Sequence, residues 1–345
     1  MKMVSVVVPC YNAAQYLDKC IRYLLNQTIG RENLEIILVN DASTDNGKTW
    51  CKIMEYEHMF PDVILAVSLE ENMRQGGARN AGIFYASGEY LIFCDADDWL
   101  LEETLEHCYQ AAKKYNADIV EFLIYNVRDH AINVPLEKGD KDVLLEIDTE
   151  EKMIAFLMTC SEEFSYGSQK KFYRSSLIQE NCIRFAEHLI FEEPSFMVPI
   201  RFYEQRHYFL DEKLYICYLS QESTVRSEWV RVHKWDNPQV WMHLVEDLTE
   251  RGLLQKYHAE IEYLFFSWGF GLTMRMLLRR GYRLTSDDLK FLVDMVLRLF
   301  PDVRQNKYIV EIGKPEWDGL LLAILDVEFV EESVQVVNEI LKKYL

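Results

Sequence analysis

The first 125 residues alternate between short apolar runs and segments with helical spacing of apolar residues. Runs at 4–8 and 34–39 are almost wholly apolar, as expected of strands buried on both faces. Further strands are predicted over 63–67, 90–94 and 119–125, and helices over 78–86 and 102–115. This alternation predicts an α/β fold, in which helices sandwich a mainly parallel, Rossmann-like sheet.

From about residue 227 the pattern changes to helices without intervening strands, and the predicted domains are therefore 1–226 and 227–345. Thr285 or Ser286 can cap a helix that Pro301 terminates, and 334–344 is predicted to form a last amphipathic helix. The charged stretch 129–148 contains Pro135 and Gly139, so it is predicted to be a surface excursion.

Composition excludes several classes of protein. The net charge of −19 opposes binding to nucleic acid phosphates. The eight cysteines include no C-x-x-C pair, and the first residues lack the features of an export signal. We therefore expect a cytoplasmic protein. The longest apolar stretch, 263–274, is shorter than the roughly 20 residues of a spanning helix.

Polar residues cluster where three predicted strands end. They lie at 9–12, at 40–45 and at 95–98, where Asp95, Asp97 and Asp98 follow an apolar run. In parallel sheets, ligands bind at the carboxyl ends of the strands. The three carboxylates are consistent with a solvated turn that caps the next helix. They are equally consistent with a site whose divalent cation neutralises them.

Four ordered motifs resemble the family 2 glycosyltransferases of the GT-A fold. They are VSVVVPCYN at 4–12, VNDASTD at 39–45, ARNAG at 78–82, and GEY at 88–90 leading into DADD at 95–98. The resemblance covers about the first 225 residues. It implies a metal-dependent, inverting enzyme that transfers a sugar from a nucleotide diphosphate donor to a hydroxyl of a polysaccharide or glycolipid acceptor.

The resemblance also implies roles for individual residues. Asp97 matches the metal-binding carboxylate, with Asp95 assisting at the metal or the ribose, and the metal would be Mn²⁺ or Mg²⁺. Asp41 matches the residue that binds the nucleobase. The implied donor site consists of Pro9, Tyr11, Asn12, Asp41, Ser43, Arg79, Asp95 and Ala96. For Arg79, a structural ion pair is an equally good interpretation.

Two positions depart from the family pattern. Asn40 stands where an aspartate is usual, so a UDP-sugar is favoured but not established. Glu193 stands where the family has its catalytic aspartate, and we predict that Glu193 is the general base that complements Asp97 in catalysis. The segment 170–177 resembles an acceptor-side segment but fits a helix start equally well. His233 is either a further metal ligand or a packing residue.

Other functions were weighed against sugar transfer. A decayed, non-catalytic nucleotide-sugar binder would account for Asn40 and Glu193. A sugar nucleotidyltransferase is disfavoured because no glycine follows the first strand, and a processive synthase because Gln-x-x-Arg-Trp is absent. The acceptor is expected to be a glycan or a lipid-linked glycan. Aromatic residues at 263–270 followed by arginines suggest either peripheral contact with the inner membrane face or an ordinary helical core.

Overall fold

The computed structural model describes residues 2–129, 134–158, 167–219, 232–311 and 315–344. The chain divides into two compact units, Met1–Ser223 and Thr224–Leu345, and each is considered by itself.

The first unit is built on one ten-stranded sheet. Its path follows the order β3-β2-β1-β4-β9-β6-β10-β5, and β7 and β8 also pair with β10. The strands are β1 Val4–Cys10, β2 Leu34–Asn40, β3 Ile64–Ser68, β4 Tyr90–Phe93, β5 Trp99–Leu100, β6 Ile119–Val127, β7 Glu137–Lys138, β8 Val143–Glu146, β9 Lys171–Arg174 and β10 Arg206–Tyr218.

Helices cover both faces of this sheet. They are α1 Leu17–Leu25, α2 Lys48–Met59, α3 Arg74–Tyr85, α4 Thr104–Tyr115, α5 Glu150–Met158, α6 Ser175–Glu180 and α7 Glu193–Tyr203. The alternating side chains of β1 divide between two cores: Val6 and Val8 enter one, and Val7 enters the other. The predicted α/β sandwich is confirmed. Its first four strands pair in parallel, in the order β3-β2-β1-β4.

Strand β1 lies at the point where the order of the strands reverses. The chain first builds outward from β1 to β2 and β3, then returns to place β4 on the other side of β1. Such a reversal opens a crevice at the carboxyl ends of the strands. The loops that follow β1, β2 and β4 therefore share one edge of the sheet.

The antiparallel part of the sheet differs from the sequence prediction. Strand β10 follows the whole of β6 in parallel and pairs with β5, β7 and β8 in antiparallel fashion, although no strand was predicted there. The stretch 129–148 accordingly contributes two short strands instead of forming only a surface excursion. The segment 170–177 was interpreted either as an acceptor-side segment or as a helix start. It is more than a helix start, because strand β9 precedes helix α6 within it.

The second unit is helical throughout its described residues. The helices are α8 Asp236–Glu250, α9 Leu253–Lys256, α10 His258–Leu264, a π-helix Phe265–Gly271, α11 Leu272–Arg279, α12 Ser286–Leu299, α13 Lys307–Glu311, α14 Pro315–Ile324 and α15 Glu331–Leu341. Thr285 caps α12 through a reciprocal capping box with Asp288, as predicted.

The aromatic segment of this unit is internal. Phe265, Phe266 and Phe270 are fully buried, as the helical-core interpretation expects, and Tyr263 and Trp268 are half-buried. Among the helices that the structure describes, none combines the length and the apolar character needed to cross a membrane.

Candidate active site

The loops after β1 and β2 bind each other directly. The backbone N–H of Asn12 donates to Ser43 Oγ at 3.0 Å, and the N–H of Thr44 donates to Asn12 Oδ1 at 2.8 Å. Tyr11 Oη lies 3.3 Å from Thr44 Oγ1. Asn12 and Ala42 have left-handed φ values of 51° and 48°. Backbone strain of this kind in non-glycine residues is concentrated at ligand sites.

The backbone at the start of α3 binds the side chain of Asp41. Its Oδ1 accepts the N–H of Met73 at 2.7 Å, and only 3% of the residue is exposed. Burial raises the pKa of the Asp41 carboxyl, and the backbone amides of Met73 and Arg74 oppose that rise. The neighbouring Asn40 donates to Ser68 Oγ and accepts from the Ser43 N–H, so its amide helps to shape this loop.

The acidic cluster contains three carboxylates in different environments. Asp98 accepts the Tyr215 hydroxyl and the Tyr218 N–H, each at 2.7 Å, so it fastens β10 to the turn. It does not cap α4, which begins without a side-chain cap at Glu103. The three acidic residues therefore divide into one structural group, Asp98, and two others, Asp95 and Asp97.

Asp97 has no ion-pair partner among the residues that the structure describes. Burial and the nearby charge of Asp95 raise the pKa of Asp97 to about 6. Asp95, by contrast, accepts from Arg79 at 3.0 Å and from Gln169 at 3.3 Å. An electrostatically unfavourable carboxylate beside a second carboxylate is a suitable environment for a cation.

Arg79 joins the acidic turn to the segment that carries the expected base. Its guanidinium is fully buried and contacts Asp95 at 3.0 Å and Glu192 at 2.5 Å. Burial alone would lower the pKa of Arg79, but Asp95, Glu192 and Glu193 together hold it above its usual value. The sequence allowed two interpretations of Arg79, a donor-binding residue and a structural ion pair. The observed contacts are those of the structural ion pair.

Helix α3 holds the same segment at two further points. Asn80 donates to the carbonyl of Phe185 and accepts the Phe185 N–H, both at 2.9 Å. A Cβ at Gly76 would lie 2.1 Å from the backbone oxygen of Ala186. Helix α3 thus fixes the position of residues 185–193, which lie more than 100 positions away in the chain. It does so through Arg79 and Asn80, from the ARNAG motif, and through the preceding Gly76.

Glu193 begins α7 and is less buried than its neighbour Glu192. Its Oε1 accepts the N–H of Ser168 at 2.8 Å and the hydroxyl of Ser168 at 2.9 Å. Within the described part of the chain, Oε2 has no hydrogen-bond donor. Glu193 therefore has one carboxylate oxygen that accepts two hydrogen bonds and one that accepts none from the described residues.

A buried charged cluster, which was not predicted from the sequence, lies near this carboxylate. Glu121, at 0% exposure, lies 3.5 Å from Lys171 and 3.3 Å from His207, and His207 contacts Glu204 at 2.9 Å. Burial would raise the pKa of Glu121, but Lys171, His207 and Lys170 hold it well below its usual range. A glutamate inside the apolar run 119–125 was the available signal.

The two remaining candidates have structural contacts. Lys170 lies 2.9 Å from Glu121 in the buried cluster. His233 contacts Asp236 at 2.9 Å within the second unit. In the parts of the chain that the structure describes, no group of three or more His, Cys, Asp or Glu side chains could hold a metal. Asp97 and Asp95 offer carboxylate oxygens, and Mg²⁺ is commonly held by one or two carboxylates together with phosphate oxygens of a substrate.

The buried position of Arg79 leads to a stability prediction. In Arg79→Lys, a single ammonium group replaces the planar guanidinium that binds both Asp95 and Glu192. One of these two carboxylates therefore loses its partner. We expect the free energy of unfolding to fall by about 2 to 4 kcal/mol, measured by urea denaturation. Lys52→Met, which removes a more exposed ion pair with Asp18, should cost less than about 1 kcal/mol. Equal losses in the two variants would contradict this role for Arg79.

The fold is that of a GT-A enzyme, and Arg79 joins the acidic turn at one edge of its mainly parallel sheet to the acidic segment that contains Glu192. The model of glycosyl transferase family 2 matches residues 5–177, half of the 345-residue chain. The chain belongs to glycosyl transferase family 2.

Individual proteins agree with this assignment. The chain is 29% identical over 262 residues to the glycosyltransferase GlyG of Streptococcus pneumoniae, an alignment that covers 73% of this chain and 82% of GlyG. It is 29% identical over 186 residues to the poly(ribitol-phosphate) beta-glucosyltransferase of Bacillus spizizenii. That alignment covers 54% of this chain but only 27% of the longer relative.

Solved structures show the same fold. Residues 1–349 of TarS from Staphylococcus aureus, in complex with UDP-GlcNAc, match with a TM-score of 0.66 at 19% identity. The match covers 100% of this chain and 91% of the TarS chain.

Proposed function

We propose that this protein is a metal-dependent, inverting glycosyltransferase that moves a sugar from a UDP-sugar to a hydroxyl of a cell-surface glycan. The observation that carries the proposal is the Arg79 bridge. Its guanidinium contacts both Asp95, in the acidic turn, and Glu192, the residue before the expected base Glu193. This contact supports a single site for donor and acceptor chemistry.

The donor half of the site would bind a nucleotide through the two linked loops. Asp41 would accept a nucleobase N–H, and Tyr11, Asn12 and Ser43 would surround the nucleoside. Asp97 and Asp95 would hold Mn²⁺ or Mg²⁺, and both are the hard oxygen ligands that these ions prefer. When bound, the metal would stabilise the charge of the leaving diphosphate. The UDP-GlcNAc bound to TarS supports a uridine donor.

The acceptor half of the site would use Glu193 as the general base. Its unanchored Oε2 would accept the proton of the attacking hydroxyl while the sugar–phosphate bond breaks on the opposite face. Glu192 would stay with Arg79. The poly(ribitol-phosphate) acceptor in the name of the Bacillus spizizenii relative supports a polyol or glycan polymer as the acceptor.

A thermal-shift panel tests the donor and the metal. The protein would be heated with UDP-glucose, UDP-galactose, UDP-GlcNAc or GDP-mannose, each with Mn²⁺ or with EDTA. At about 100 times its Kd, the correct donor should raise the Tm by about 5 °C or more. We expect a UDP-sugar to do so with Mn²⁺ and not with EDTA. Stabilisation by GDP-mannose alone, or an equal shift in EDTA, would contradict the proposal.

A further inference from the structure

Ser168 contacts the carboxylate of Glu193 and is fully buried. Its backbone N–H and its hydroxyl both donate to the same atom, Glu193 Oε1, at 2.8 and 2.9 Å. Two donors from one residue restrain the position of that oxygen. This restraint limits the positions that the second oxygen, Oε2, can take.

Ser168 is itself held by two fully buried residues of β9. The Tyr173 hydroxyl donates to the Ser168 carbonyl at 3.0 Å, and Lys171 Nζ donates to the carbonyl of the preceding Gly167 at 2.6 Å. Burial lowers the pKa of Lys171 to about 8, and Glu121 opposes this effect. The support for Glu193 thus extends into the buried charged cluster and is anchored in the sheet.

We propose that Ser168 is a positioning residue for the catalytic base: it anchors Oε1 of Glu193 so that Oε2 faces the acceptor hydroxyl. The inference rests on the proposed function, because it assigns Ser168 a role only if Glu193 is the base. Ser168 itself neither gains nor loses a proton. Its effect is on the geometry and charge of Glu193, and small displacements of a catalytic group are costly.

Donor hydrolysis tests this role without knowledge of the acceptor, since water replaces the acceptor hydroxyl. With Mn²⁺ and whichever of UDP-glucose, UDP-galactose or UDP-GlcNAc the wild type cleaves, Ser168→Ala should lower kcat about 10- to 100-fold. The KM for the donor should not change.

Two variants separate positioning from packing. Ser168→Cys keeps the shape but is a weak donor, so it should lose activity as Ser168→Ala does. Ser175→Ala is the matched control, because Ser175 is also buried in the first unit and its hydroxyl has no hydrogen-bond partner among the described residues. It should retain full activity. A Ser168→Cys variant as active as the wild type would overturn the positioning role.

Glu193→Gln in the same series distinguishes the two failures. If it retains hydrolysis, the proposed function is wrong. If it is inactive while Ser168→Ala matches Ser175→Ala, only the positioning role is wrong. A readout independent of turnover is the Tm of the double variant Ser168→Ala/Glu193→Ala, compared with the Tm values of the two single variants. Non-additive shifts in Tm support the contact, and additive shifts overturn the proposal even if no tested donor is cleaved.

Discussion

Replacing Glu193 with glutamine is expected to lower kcat for sugar transfer about 10³-fold and to leave the KM for the donor unchanged. The amide keeps the size of the side chain and can still accept from Ser168, but it cannot take a proton from the acceptor. Donor-induced stabilisation with Mn²⁺ should persist in this variant. The measurement is steady-state release of nucleotide diphosphate, together with the thermal shift.

Two further variants make this result specific. Glu193→Asp retains the carboxylate but shortens it by one methylene, so its activity should lie between those of the wild type and Glu193→Gln. Glu180→Gln removes an exposed carboxylate on α6 and should behave as the wild type does. If the wild type binds a donor but does not turn it over, the nucleotide-sugar binder becomes the better description.

Replacing Asp97 with asparagine is expected to abolish metal-dependent turnover, with a loss of about 10³-fold or more in kcat/KM. The same substitution should stabilise the metal-free protein. The pKa of Asp97 is raised to about 6 in the folded protein, so the ionised side chain disfavours folding at neutral pH. In EDTA at pH 8, Asp97→Asn should therefore unfold at a higher temperature than the wild type. Its free energy of unfolding should be higher by about 1 to 2 kcal/mol.

The pH dependence of this stability difference follows from the sign of the shift. Below the unfolded pKa of about 4, Asp97 is protonated in both states and the difference disappears. It develops between about pH 4 and pH 6 and is complete above that. Asp62→Asn, on the exposed surface, should change neither turnover nor stability. An Asp97→Asn variant that is inactive and less stable would indicate a structural role instead.

The edge of the sheet that carries the loops after β1, β2 and β4 could largely be predicted from the sequence. Strands β1, β2 and β4 are local apolar runs, and each ends in a polar motif within a few residues. Parallel pairing brings such ends to one edge of the sheet. The family resemblance implies roles for Asp97 and Asp95 but none for Asp98, and the structure pairs Asp98 with β10.

The surroundings of Glu192 and Glu193 could not be predicted in the same way. Its supports are charged side chains in strands, such as Glu121 in β6, Lys171 in β9 and His207 in β10. Their charges are tolerated only because each meets an opposite charge far away in the sequence. A single sequence shows no such pairing, so β10 was missed. The role of Arg79 was undecided for the same reason.

Strand β10 also determines when the site can form. Tyr215 donates to Asp98 and accepts the backbone N–H of Asp95, so the acidic turn receives its final support from a strand more than 100 residues later. During synthesis, the DADD motif emerges early but remains unsupported until residue 218 has left the ribosome. A gene fragment cut at residue 177, where the family match ends, would encode the DADD motif but not the strand that holds Asp95 and Asp98 in place.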